Sequence, residues 1–227
     1  TPIVKASKGK QAETFFTLPE YDQWCEKQAN LKGWQIKYYK GLGTSTSKEA
    51  KEYFSVMDEH QKEFTYVDKE DDTAIDMAFS KKKIEERKAW LRGFKPGTFL
   101  DHAVDKIPYT DFINQELILF SMADNVRSIP SMVDGFKPGQ RKVLFSCFKK
   151  NLTKDIKVAQ LAGYISEHSA YHHGEMSLNG TVIGMAQTHC GSNNIAMLYP
   201  SGQFGTRHQG GKDSASPRYV FTRLQQI

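Results

Sequence analysis

Cysteine is scarce. Cys25, Cys147 and Cys190 are the three among 227 residues, too few and too scattered for a disulfide framework or a zinc site. They read as reduced thiols of a cytosolic or nuclear protein. No run approaches 18 uninterrupted apolar residues, so no membrane-spanning helix and no membrane partner are expected. The sequence has no apolar leader core, no Arg/Ser-rich leader, no internal repeat and no low-complexity tract. Hydrophobic residues make up 39% and charged residues 25%, which excludes a wholly disordered chain. The chain opens on Pro2-Ile3-Val4 without a methionine and stops just after the apolar stretch 219–224. The expectation is an internal fragment of a longer protein.

Charge is unevenly placed. The net charge is +5, yet basic and acidic residues balance over 1–113, so the whole excess lies in 114–227. Five of the seven histidines lie there too. A basic half suits an anionic partner, nucleic acid first, although a solvated basic surface is the simpler reading of composition alone.

Periodicity predicts a mixed helix and strand fold, of α/β (α+β) class. Strands are expected at 3–6, 12–18 and 34–39, with a helix opening at Pro19-Glu20. Ser47 is expected to cap a helix carrying Ala50, Tyr53, Phe54 and Met57. One helical stretch is expected over 72–90. Gly93, Pro96, Gly97 and Pro108 suggest a domain boundary, giving domains 1–108 and 109–227. In the second, helices are expected at 111–121, 140–150, 158–168 and 176–189, and short strands at 195–198 and 219–224. Val143, Leu144, Cys147 and Phe148 share one arc of the helix from Gln140, with Arg141, Lys142 and Lys149 opposite. Helices closed by short strands and a long loop suggest a winged helix, in which this helix would enter a major groove.

Each candidate motif has a plain structural reading beside its chemical one. Lys40-Gly41-Leu42-Gly43-Thr44-Ser45 lets backbone amides approach a phosphate. Its lysine precedes the glycines, so it is not a Walker loop, and taken alone a plain turn is the simpler reading. Tyr171-His172-His173-Gly174-Glu175 fits a polar loop where a histidine donates to a phosphate, or a satisfied structural histidine. Adjacent histidines do not converge on one metal. Asp68, Glu70, Asp71 and Asp72 fit helix capping better than magnesium binding. The polar loop 201–217 carries four glycines and ends at Arg218-Tyr219. It could present a tyrosine nucleophile with an electrophilic arginine, or a tyrosine that begins a strand.

Together these segments resemble a known family. Lys37-Tyr38-Tyr39-Lys40-Gly41-Leu42-Gly43-Thr44-Ser45 resembles the end of the topoisomerase–primase (Toprim) region of eukaryotic DNA topoisomerase II, a type IIA, ATP-dependent family. Arg127-Ser128-Ile129-Pro130 with the run from Asp134 through Lys142 is similar to its DNA-gate winged helix. Tyr171 to Glu175, and Gly205-Thr206-Arg207 through Tyr219, resemble its remaining active-site segments. The resemblance implies the C-terminal part of a Toprim region followed by a partial winged-helix DNA-gate domain.

It also implies roles. Tyr219 is the nucleophile that forms a transient 5′-phosphotyrosyl link, Arg218 stabilises the transition state, and His173 lies near the scissile phosphate. Arg127, Lys137, Arg141, Lys142 and His172 contact DNA, and Lys40 lies near the cleavage centre. Double-stranded DNA, a homodimer, Mg2+, ATP and the nucleus are implied for the full-length protein. The metal and nucleotide ligands would lie outside this chain, leaving the isolated fragment inactive. The alternatives are a non-catalytic winged-helix DNA-binding module, in which Tyr219 is structural, and a scaffold or dimer-contact segment.

Overall fold

The computed structural model describes residues 2–28, 30–39, 41–171 and 173–226, with the backbone alone at 41, 42 and 59. The candidates Lys40 and His172 lie outside the described residues. The chain forms two compact units, Thr1–Ala123 and Asp124–Ile227.

The first unit opens with a hairpin. Strand β1 (Val4–Lys8) pairs with β2 (Gln11–Phe15) in antiparallel register, Val4 opposite Phe15. Gly9, at φ +61°, supplies the left-handed turn. On its other edge β1 pairs with β3 (Gln35–Tyr38), giving the order β2-β1-β3. Alternation along β1 buries Val4 and Ala6 against Phe15. Helix α1 (Leu18–Lys27) covers this face with Tyr21 and Trp24, and the Trp24 and Trp34 rings meet edge to face at 4.9 Å. Thr17 and Glu20 start α1 with a capping box.

A 3₁₀ turn, Gly41–Thr44, leads from β3 to α2 (Ser47–Ser55). The cap of α2 is Thr46 rather than Ser47, because the Thr46 hydroxyl reaches the Glu49 amide at 3.3 Å. The expected apolar face of α2 is shorter than its spacing suggests. Tyr53 is buried, whereas Phe54 is exposed and Met57 begins a separate turn, α3 (Met57–His60).

The helical stretch expected over 72–90 is two helices, α4 (Lys69–Phe79) and α5 (Ile84–Arg92). The chain breaks at Ser80, which is extended, and Arg87 closes the gap by donating to the Met77 and Ser80 carbonyls at 2.8 and 2.7 Å. The acidic run begins α4 as expected: Asp68 is its cap, accepting from Glu70 N at 2.7 Å. Asp71 goes further. Buried, it accepts from Val67 N, Thr110 N and Thr110 Oγ1, each at 2.7 Å, and these bonds hold its carboxyl below the usual range, Thr110 first.

Those bonds move the domain boundary. Strand β4 (Glu63–Thr65) pairs in parallel with β5 (Lys106–Pro108), and Asp71 ties α4 to the turn α6 (Tyr109–Asp111). Residues beyond 108 therefore belong to the first unit. The helix continues as π-helical Phe112–Leu117 and then α7 (Ile118–Ser128), well past the expected end at 121. The units divide between Ala123 and Asp124 rather than at 108/109.

In the second unit, α8 (Pro138–Lys149), α9 (Val158–His168) and α10 (Glu175–Ala186) pack around one core. Strands β6 (Ile156–Lys157) and β7 (Phe221–Thr222) form a two-stranded antiparallel ladder. The strands expected at 195–198 and 219–224 reduce to β7 and two isolated bridges, Leu198 with Leu224 and Ser201 with Phe221. Val158, Leu161, Ala162 and Ile165 are buried along α9, as their spacing predicts. Helix α8 is rotated from its expected face: Val143, Ser146 and Cys147 are buried, while Phe148 is 67% exposed and Lys142 half-buried. Ser146 is tolerated inside because its hydroxyl donates to the Lys142 carbonyl at 2.9 Å. Burial pushes the Cys147 thiol up to about 12, so it is an inert packing group.

Ala170 follows α9 at φ +48°, a conformation that favours glycine. Ala170→Gly is expected to raise stability by about 0.5–1 kcal/mol, readable as a higher midpoint in denaturant.

Candidate active site

Tyr219 is positioned by backbone alone. The first amides of α9 have no carbonyl partner within the helix. Val158 N donates instead to Val220 O at 3.0 Å, and Ala159 N to Pro217 O at 3.1 Å. Tyr219 N donates to Ser216 O at 2.9 Å. Its neighbour Val220 is buried, and two residues on Thr222 is fully buried, donating to Tyr199 O at 2.9 Å. The Tyr219 ring is left 75% exposed, at the end of α9 where the helix dipole favours negative charge.

The loop before it is a built structure. Gln187, just past α10, donates through Nε2 to Phe204 O at 2.8 Å and Gly211 O at 3.1 Å. Asp213 accepts from Thr206 N and Thr206 Oγ1, both at 2.8 Å. Its partner is thus a threonine, and these bonds hold its carboxyl low. Phe204 is buried beneath the loop. Gly205 and Gly211 touch so closely that a Cβ on Gly205 would lie 2.6 Å from Gly211 backbone atoms. Gly202 packs on Val220, where an added Cβ would meet Cγ1 at 3.1 Å. This frame leaves Arg207, Lys212 and Arg218 exposed, with no side-chain hydrogen bond or ion pair to the described residues.

The start of α8 meets the chain that follows the other end of α9. Lys142 Nζ, on α8, donates to Ala170 O at 3.1 Å. The Tyr171 ring lies over Gly139, where an added Cβ would sit 3.8 Å from Cε2, and meets the exposed His173 ring edge to face at 5.5 Å. Arg141 grips Asp134 with Nε at 3.0 Å and Nη2 at 2.8 Å. Asp134 also accepts from Phe136 N, and Arg141 holds its carboxyl low. Lys137 precedes α8 and is exposed. Arg127, in the last turn of α7, pairs with Asp124 at 2.6 Å.

The candidates thus form two groups. An 11-residue helix spans about 16 Å, so the backbones at Tyr219 and at Ala170 and Tyr171 stand roughly that far apart. Arg218 accompanies Tyr219, whereas His173, Lys142 and Lys137 lie at the far end. Sequence reasoning missed Gln187, which no local pattern marks, and the Thr206–Asp213 pair, which a Thr-x₆-Asp spacing across Gly210-Gly211 could have suggested.

Among the described residues no group of three or more His, Cys, Asp or Glu could hold a metal ion. Asp71, Asp134 and Asp213 are committed as described, and Asp155 pairs with Arg223 at 2.6 Å. Among the described residues, too, no helix is long and apolar enough to cross a membrane.

Comparison with known proteins divides the chain at nearly the same place as its packing. Residues 1–125 match the family described as the C-terminal associated domain of TOPRIM. Residues 127–227 match the family of the A-type chain of DNA gyrase/topoisomerase IV. DNA topoisomerase 2 of Arabidopsis thaliana is 61% identical over 100% of the chain, and DNA topoisomerase 2-beta of Homo sapiens 59% over 100%. The chain spans 16% and 15% of these relatives. The crystal structure of the Plasmodium falciparum topoisomerase II DNA-binding, cleavage and re-ligation domain superposes with a TM-score of 0.79. It is 58% identical, covering 99% of this chain and 30% of that one.

Proposed function

We propose that this chain, which belongs to the family described as the C-terminal associated domain of TOPRIM, supplies the nucleophile for DNA cleavage and religation in a larger enzyme, a type II DNA topoisomerase. The observation that carries the reading is Tyr219: an exposed phenol on a rigid backbone, at the positive end of α9, beside an Arg218 that has no side-chain partner among the described residues.

The step balances simply. Tyr219 Oη attacks a DNA phosphorus and loses its proton to solvent or a base. A phosphorus–Oη bond forms, the bond to the 3′ oxygen breaks, and that oxygen leaves as a 3′ hydroxyl after gaining a proton. Attack by the hydroxyl reverses every change, so bond energy is kept in the 5′-phosphotyrosyl link. The guanidinium of Arg218 meets charge that grows on the phosphate oxygens. We assign His173 to the scissile phosphate, and Lys142, Lys137, Arg141 and Arg127 to the DNA backbone, on the resemblance of their motifs. We assign Lys40 and His172 to the same DNA surface on the resemblance of their motifs. Two copies in a homodimer would cut the two strands and let a second duplex pass, relaxing or decatenating DNA in the nucleus. Mg2+ and ATP would serve the full-length protein through ligands outside these residues.

The test uses the full-length protein, supercoiled DNA and magnesium. After rapid denaturation and nuclease digestion, mass spectrometry of the DNA-linked peptide should place the nucleotide on Tyr219. A nucleotide on another residue overturns the assignment, and DNA binding with no adduct favours a non-catalytic binding module.

Arg141 has donors to spare beyond the two spent on Asp134. Arg141→Ala is expected to lower the slope of log K against log salt by about 0.9, the loss of one phosphate contact. Filter binding at several salt concentrations reads it, and an unchanged slope in a folded variant removes the contact.

A further inference from the structure

We propose that Glu49 is a positioning residue for DNA cleavage, its one carboxylate fixing both flanks of the segment Lys40–Ser45. The inference rests on the function proposed above and extends it to a residue outside the active-site motifs.

Glu49 lies in the first turn of α2. Its Oε2 accepts from Thr46 N at 2.7 Å and Thr46 Oγ1 at 3.0 Å, which ties down the chain after the segment. From the chain before it, Lys37 Nζ donates to both carboxylate oxygens at 2.8 and 3.0 Å, and the Tyr39 hydroxyl donates to Oε1. Tyr39 is buried, and the Lys37 ammonium sits 4.6 Å from its ring centre. Between these anchors the described backbone forms the 3₁₀ turn Gly41–Thr44.

A second capping box in the same unit shows what helix initiation alone requires. Glu20 accepts from Thr17 N and Phe16 N, and its bonds stay with the chain adjoining its own helix. Glu49 does the same work at Thr46 and then binds two side chains from the chain at β3, which no helix start needs. Lys37 foremost, with Thr46 and Tyr39, pulls its carboxyl down to about 2, so the clamp stays charged throughout the neutral range.

The experiment compares Glu49→Gln with Glu20→Gln in the full-length protein. Glutamine keeps an acceptor for Thr46 but turns an NH2 group toward Lys37 or Tyr39. At saturating DNA, Glu49→Gln should slow cleavage roughly 10- to 100-fold through misplacement alone, with DNA affinity within about twofold. Amide hydrogen exchange over 41–45 should quicken. In a Lys40→Ala background Glu49→Gln should cost little more, because the two changes act through one element. Glu20→Gln should lower thermal stability and leave cleavage unchanged. Should Glu49→Gln fail to fold, Tyr39→Phe removes one flank's donor, and a smaller loss in the same direction is expected. Wild-type cleavage by Glu49→Gln, or full additivity with Lys40→Ala, overturns the proposal. Lack of a Tyr219 adduct in the wild-type protein would instead sink the functional reading, while the exchange measurement still reports whether the clamp exists.

Discussion

Tyr219→Phe is expected to abolish covalent attachment to DNA, by at least about 10⁴-fold, a loss of the size seen when other enzymes lose their nucleophile. The change removes one oxygen. The ring is 75% exposed, so no packing is lost, and the backbone at 217–220 is held by Val158 N and Ala159 N, which the substitution does not touch. DNA affinity should stay within about twofold, since the exposed cations Arg207, Lys212 and Arg218 remain. Thermal stability should not change measurably. The comparison is between wild-type and variant full-length protein in a cleavage assay with denaturing detergent, beside an affinity measurement at fixed salt. Adduct persisting in the phenylalanine variant would mean that another residue attacks the phosphate. Adduct and binding lost together would mean that the tyrosine holds DNA rather than cuts it.

Gly205→Ala is expected to be nearly as damaging by a different route. Gly205 adopts φ +101°, and an added Cβ would sit 2.6 Å from the Cα and O of Gly211. Neither is the end of a flexible side chain, so the two strands of the loop must part. A left-handed residue costs about 1–2 kcal/mol and overpacking about 1–3 more. Parting them also strains the bonds from Gln187 to Phe204 O and Gly211 O, and from Thr206 to Asp213. The expected result is a fall of about 2–5 kcal/mol in stability, together with loss of cleavage. Gly210→Ala is the control. It has φ +58° but nothing within 4 Å of the added carbon, so only the backbone cost applies and cleavage should largely survive. Equal tolerance of both substitutions in chemical denaturation and cleavage would show that the loop frame does not position Tyr219.

Local order was legible in the sequence wherever a pattern repeats over a few residues. Val4 and Ala6 alternate into the core, Val158, Leu161, Ala162 and Ile165 line one side of α9, and Asp68 caps α4. These outcomes follow from the period of a strand, the period of a helix and the unpaired amides of a helix start. The glycine-rich loop 201–217 and its terminal tyrosine could be read as an exposed, irregular segment for the same reason.

Tertiary structure decided what depends on how distant segments meet. Helix α8 turned Ser146 inward and Phe148 outward, because α9 and α10 set which side was covered and the Lys142 carbonyl satisfied the buried hydroxyl. The boundary moved from 108 to 123 because Asp71 reached 39 residues along the chain to Thr110. Gln187 and Glu49 look like ordinary polar residues until the backbone brings Gly211 to one and Lys37 and Tyr39 to the other. The length of α9 was legible, but not that the chain at 217–220 docks on its start, roughly 16 Å from Tyr171. Hydrophobic period and capping act over one or two turns, so a sequence states them directly. A hydrogen bond across roughly 20 or 40 residues depends on the path of everything between, and only the folded chain specifies it.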